Sequence, residues 1–161
     1  TIIKMEQGSQ MTMTTTQIGG VDYSNRITKA ILKKDAVLNI NEKIMTSGFN
    51  VAKTDFKVIL QGENSKCDIV SRSVARGESE QIFKSNIVGK NLCFGHVECD
   101  GILLDAARID SIPRVSAVNN QASLSHEAAI GRIAGEQIVK LMTLGLTKEE
   151  AERKIIEGFL K

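Results

Sequence analysis

Ser79-Glu80-Gln81-Ile82-Phe83-Lys84-Ser85-Asn86-Ile87-Val88 lies between two turn signals, Arg76-Gly77-Glu78 and Gly89-Lys90-Asn91. Its apolar and polar residues, with a β-branched pair at the end, read as one strand between two turns. The same pattern extends in both directions. Ala36–Ile40, Ile44–Phe49, Phe56–Leu60 and Cys67–Ala75 precede it, and Asn91–Cys99, Ile102–Asp105 and Arg114–Val118 follow it. Gly48, Gly62-Glu63-Asn64 and Asp100-Gly101 supply the turns between them. The segments recur at intervals of roughly 10–12 residues, a spacing shared by sandwiches, barrels and β-solenoids. Many Ile, Val and Thr residues, with Asn at the corners, lean toward stacked coils. Near the start, Met11-Thr12-Met13-Thr14 alternates like an edge strand, and Lys29 to Lys34 reads as a solvated basic strand or turn.

The pattern changes at Ser123. Ile130, Ile133, Ile138, Leu141 and Met142 recur at near-helical spacing, with Ser125 as a candidate N-cap and Gly145 as the C-cap. Thr147-Lys148-Glu149-Glu150 is a capping box for a second helix ending near Glu157-Gly158. The chain thus divides into a β unit over 1–122 and a helical pair over 123–161, with the pair expected to pack on the end of the β unit.

Composition narrows the function. The 161 residues fit one modest core. With 21 basic and 19 acidic residues, the net charge of +2 gives no general attraction to nucleic acid. No apolar run reaches membrane-spanning length, and residues 1–17 lack the apolar centre of a signal peptide. Cys67, Cys93 and Cys99 are an odd set without framework spacing, which predicts free thiols and a cytoplasmic protein. No GxxxxGK[ST] loop, CxxC pair or nucleophile–base signature appears, so the chain is not expected to be an enzyme.

Two short segments carry chemistry: His96-Val97-Glu98-Cys99-Asp100-Gly101, and Ser125-His126-Glu127-Ala128 with Arg132-Ile133 and Glu136-Gln137 after it. They join a soft thiol ligand, an imidazole and a carboxylate, side chains able to ligate a transition metal. On residue type alone, Cys67, Cys93 and Cys99 read as packed core thiols. By the same standard His96 is a turn residue, Glu127 a first-turn helix acid, and Arg132, Glu136 and Gln137 a solvated helix face.

The order and spacing of these segments, with the tail Gly145 to Ala151 and Gly158-Phe159, resemble the C-terminal core of the SufB/SufD family. These are scaffold subunits of the SUF iron–sulfur cluster assembly machine. The resemblance is clear from about Ile59 onward. It implies a mainly β fold, a right-handed parallel β-helix (a single-stranded β-solenoid) followed by a C-terminal helical pair. It implies Cys99, His126 and Glu127 as ligands of a transient iron–sulfur cluster, with Cys99 and Glu127 together leaning toward SufB. It also implies a SufC-type ABC ATPase as partner, bound through the helices, and a homo- or heterodimer of SufB/SufD type. Asp100-Gly101 stands where the family more often has Asp-Ser. The alternative within the resemblance is a SufD-like adaptor that stabilises the complex without binding metal. An older family label, a transporter-associated permease component, conflicts with the lack of an apolar span.

Overall fold

The computed structural model describes residues 1–161. The chain winds as a parallel β-solenoid with two strands per turn. The strands are β1 (Ile2–Met5), β2 (Gln10–Ile18), β3 (Tyr23–Leu32), β4 (Val37–Thr46), β5 (Val51–Leu60), β6 (Ser65–Ala75), β7 (Glu80–Gly89), β8 (Cys93–Leu103), β9 (Arg108–Ala117) and β10 (Ala122–Gly131). Odd strands form one sheet, sheet A, in the order β1-β3-β5-β7-β9. Even strands form the other, sheet B, in the order β10-β8-β6-β4-β2. Every strand pair is parallel, and each residue stacks on one about a coil earlier, as in Ala30↔Val58 and Ile87↔Val115.

This repeat explains the alternation. Along each strand one side chain points into the coil and the next points out. The inward set holds Leu32, Leu38, Ile40, Phe56, Val58, Leu60, Ile69, Ile87 and Val97, all almost fully buried. Phe56 and Phe83 meet inside the coil with ring centroids 6.0 Å apart. With so few aromatics, Ile, Val, Leu and Ala fill the narrow interior between the sheets.

Several strands are longer than the sequence signals predict. Val37–Ile40 and Ile44–Thr46, from two separate signals, belong to the one strand β4, bridged by Asn41-Glu42-Lys43, and Ser47–Phe49 lie in the turn after it. Asn91–Cys99 and Ile102–Asp105 are likewise one strand, β8. Gly95 and Gly101 do not break β8, because both face inward where the coil is crowded. A Cβ at Gly95 would lie 2.8 Å from Leu124, and one at Gly101 would lie 2.9 Å from Ile109. His96 is accordingly a strand residue and not a turn residue.

The helix expected to start at Ser125 is corrected. Residues 122–131 form β10, which pairs with β8 over its whole length, from Ala122↔Cys93 to Gly131↔Ile102. Backbone pairing to the coil beneath overrides the helical spacing of the isoleucines. Helix α1 spans Gly135–Met142, so Arg132 precedes it and only Glu136 and Gln137 lie on it. Helix α2 spans Lys148–Phe159 and begins with the predicted capping box. The Thr147 side chain accepts from Glu150 N at 3.2 Å, and Thr147 N donates to the Glu150 carboxylate at 2.8 Å. Gly158 lies within its last turn, and Gly145 takes φ +93° between the helices.

The second helix of the pair does not cap the end of the solenoid. Helix α2 lies along one corner of it, where Ile156 and Leu160 share a groove of about 790 Å³ with Ile18, Met45 and Arg76. Arg76 reaches Glu152 at 3.8 Å, and Lys43 donates to the Lys161 carbonyl at 2.6 Å. No helix is long and apolar enough to cross a membrane.

Candidate functional site

Cys99 points into the coil from β8 and is 1% exposed. Its rung neighbours are Ser71 on β6 and Ala128 on β10. One rung further in, Ser71 pairs with Glu42 on β4. A polar column, Glu42–Ser71–Cys99, therefore runs along the inside of sheet B toward its open end.

Glu42 sets the character of this column. Its side chain is fully buried, and both carboxylate oxygens are held. Thr54 Oγ1 donates to Oε1 at 3.1 Å, and Ser71 Oγ donates to Oε2 at 3.0 Å. Arg26, also on the inner face, approaches to 3.4 Å and donates to the Gln17 amide oxygen at 3.0 Å. Burial pushes the Glu42 carboxyl above its usual range, against the Arg26 charge and the two hydroxyls.

Burial likewise raises the Cys99 thiol, with further contributions from the Asp100 and Glu42 charges. The Ser111 hydroxyl opposes the rise. Its oxygen makes no hydrogen bond of good geometry, so its influence is that of a nearby dipole. Cys67 and Cys93 are also buried, and Cys93 shares the inward parity of Cys99 because β8 runs unbroken through Gly95 and His96. The Cys67 thiol is pushed up to about 12, first by burial and then by Asp68.

The three candidate ligands are distributed over both faces of sheet B. His126 pairs with Val97 and shares the inward parity of Cys99. It is exposed because no further coil stacks on β10. Glu127 pairs with Glu98 and faces outward. There its carboxylate lies 3.9 Å from His96 Nε2, while His96 Nδ1 is 2.8 Å from the Asp68 carboxylate. Within one chain, then, Cys99 and His126 share a face and Glu127 joins His96 on the other. No three His, Cys, Asp or Glu side chains are placed to share one metal ion.

Sequence reasoning missed Glu42 and Ser71. The signal was present in β4, where Leu38, Ile40, Glu42 and Ile44 share one parity, so a carboxylate occupies a position whose neighbours are core residues.

Beside this end of the coil, α1 carries an uncovered apolar side. Val139 and Met142 on it, and Leu144 in the turn after it, are exposed large apolar residues. Helix α2 buries Ala151 and Ile156.

A two-sheet parallel solenoid with a thiol on its last covered rung and a short helical pair defines a β-helical core domain with an open edge. The model of the family "SUF system FeS cluster assembly, SufBD core domain" matches residues 1–159. The chain belongs to that family. It is 35% identical over its whole length to an iron-sulfur cluster assembly SufBD family protein of Archaeoglobus fulgidus, of which it covers 44%. It is 36% identical, over 94% of its length, to a protein of the same description from Methanocaldococcus jannaschii, of which it covers 48%. Over 63% of its length it is 40% identical to a SufBD family protein of Pyrococcus horikoshii, of which it covers 23%. The chain spans less than half the length of these relatives.

Proposed function

We propose that this chain is the core of a scaffold subunit for iron–sulfur cluster assembly, of SufB type, working with a SufC-type ABC ATPase. The observation that carries the proposal is the position of Cys99. It faces inward on the last rung covered by another strand, and only Ala128 separates it from the open end of sheet B. A second SufB- or SufD-type subunit pairing with the unpaired edges of β9 and β10 would meet Cys99 and His126 across that end. Such a subunit would also supply the donors that one chain does not bring together. Iron and sulfide are the cargo here. The thiolate of Cys99 provides the soft ligand, and His126 and Glu127 provide exchangeable ones that suit assembly and release. The exposed side of α1 is the docking surface for the ATPase, which hydrolyses ATP in place of this chain.

Anaerobic reconstitution with iron and sulfide tests the reading. Wild type, Cys99→Ala and His126→Ala are compared by iron and acid-labile sulfide per chain and by charge-transfer absorption. Cluster in the wild type and loss in Cys99→Ala is the expected result. No cluster in a folded wild type, alone and with its partner subunit, overturns it.

The second reading is a SufD-like adaptor that holds the ATPase and carries no metal. The outward placement of Glu127 and the burial of a protonated Cys99 thiol favour it. It predicts ATPase binding by chains that never acquire iron.

A further inference from the structure

The outer face of sheet A concentrates positive charge that the function above does not use. Lys29 on β3, Lys57 on β5, Asn86 on β7 and Arg114 on β9 form one outward column, each the rung neighbour of the next. Lys53 and Lys84 flank it, and Lys4 and Arg108 lie on the outer edge strands of the same face. These seven cations share the face with only three carboxylates, Asp55, Glu80 and Asp110. The rest of the chain carries 14 basic and 16 acidic residues, so the net +2 conceals a separation of charge.

Only Lys57 and Arg108 have carboxylate partners, Asp55 at 3.0 Å and Asp110 at 2.9 Å. Lys29 and Lys57 are direct rung neighbours, an arrangement that costs stability in a sheet, and Asp55 compensates Lys57 alone, leaving Lys29 without a carboxylate. Exposed isoleucines lie among the cations: Ile2 in line with the column, and Ile27, Ile31 and Ile112 beside it. The only exposed aromatic of this face is Tyr23, at the start of β3 and beneath Lys53 Nζ, 5.6 Å from the ring centroid.

We infer that this face docks an acidic amphipathic helix of a partner protein, lying along the solenoid axis. Rungs repeat every ~4.8 Å, so the column from Lys29 to Arg114 is ~14 Å long. About ten residues of α-helix span that distance, and carboxylates at i, i+3 and i+4 recur every ~5–6 Å along one side. Such a helix sets an acid against each cation and its apolar residues against the isoleucines. Nucleic acid fits less well, because it would leave the isoleucines against phosphate and find no row of aromatics for its bases.

The test uses a fluorescein-labelled helical peptide with Glu along one side and Leu beside it, titrated with the whole chain and followed by anisotropy. Binding at low salt, weakened at least about tenfold near 1 M salt, where the screening length falls to ~3 Å, is expected. The Lys29→Glu, Lys57→Glu, Arg114→Glu triple variant is expected to weaken binding at least about tenfold. The Lys34→Glu, Lys66→Glu, Lys90→Glu variant makes the same change of charge away from this face and is expected to keep the wild-type affinity. Circular dichroism verifies that both variants fold. Equal loss in the two variants, or no peptide binding by folded wild type, overturns the inference. So does tighter binding of duplex DNA than of peptide. Salt-sensitive self-association that the first variant abolishes assigns the face to a second copy and also overturns it.

Discussion

Cys99 and Glu127 lie on adjacent strands yet face opposite sides of sheet B, the first into the coil and the second into solvent. Their separation follows from the two-residue pleat. Ala128 occupies the rung of Cys99, so its chain neighbour must point away.

The thiols are expected to be silent in the folded chain. A disulfide reagent near neutral pH should find almost none of the three cysteines, and all of them after unfolding. In a Cys67→Ala, Cys93→Ala background, Ala128→Gly should open the cover over Cys99 and speed its reaction. Glu127→Gln should leave the rate unchanged. A change of rate in Glu127→Gln would contradict the opposed faces. Because the Cys99 thiol is raised, its reaction should keep accelerating with pH beyond the range of an ordinary thiol.

Glu42 should impose a recognisable pH dependence on stability. Its carboxyl is raised in the folded state above the unfolded value of 4.5, so the folded chain holds the proton more tightly. That contribution is complete below the unfolded value and is lost as pH rises through the folded one. Urea unfolding of Glu42→Gln should therefore show a flatter profile than wild type above about pH 4.5. Glu150 behaves in the opposite sense. Its carboxyl is lowered by its bonds to Thr147, so its contribution is lost as pH falls. The difference between wild type and Glu42→Gln isolates the buried carboxylate. Parallel profiles would show that Glu42 does not titrate with folding.

Thr147→Ala should remove the N-cap of α2 at a cost of about 1 kcal/mol. Hydrogen exchange is expected to quicken in α2, while the coil strands keep their protection. If the same substitution weakens ATPase binding, the helices are its docking unit. Unchanged exchange in α2 would show that packing alone holds the helix.

Gly62→Ala should destabilise the chain by about 3 kcal/mol, as overpacking does at crowded sites. A Cβ at Gly62 would fall 1.9 Å from the Lys34 backbone nitrogen, in the turn of the coil beneath. Thermal unfolding measures the loss. A change within error would mean that the two turns can move apart.

Much of the coil was legible because inward positions repeat. Ser79–Val88 announced β7 within a residue or two, and the Thr147 box announced α2. What stayed hidden depends on contacts between coils. Gly62 signals a turn, but its need for a missing side chain arises from Lys34, 28 positions away. Glu42 falls in the polar gap between two strand signals, and nothing local marks it as buried because its partners, Thr54, Ser71 and Arg26, come from three other strands. Around Ser125 the local sequence favours a helix cap, and only the rung supplied by β8 makes it a strand. The thiol at Cys99 was visible as a candidate, but the side toward which Glu127 points follows from that same strand.

The rungs bear on how the molecule would respond to force. Backbone hydrogen bonds between coils run along the solenoid axis, as from β6 to β8 to β10. A pull on the end strand would load the outermost bonds first, and the coil would peel one rung at a time, as a zipper opens. A pull across the axis would have to shear whole ladders together. A pull on β10 would thus loosen the terminal rung over Cys99 with little work while the coils below remain closed.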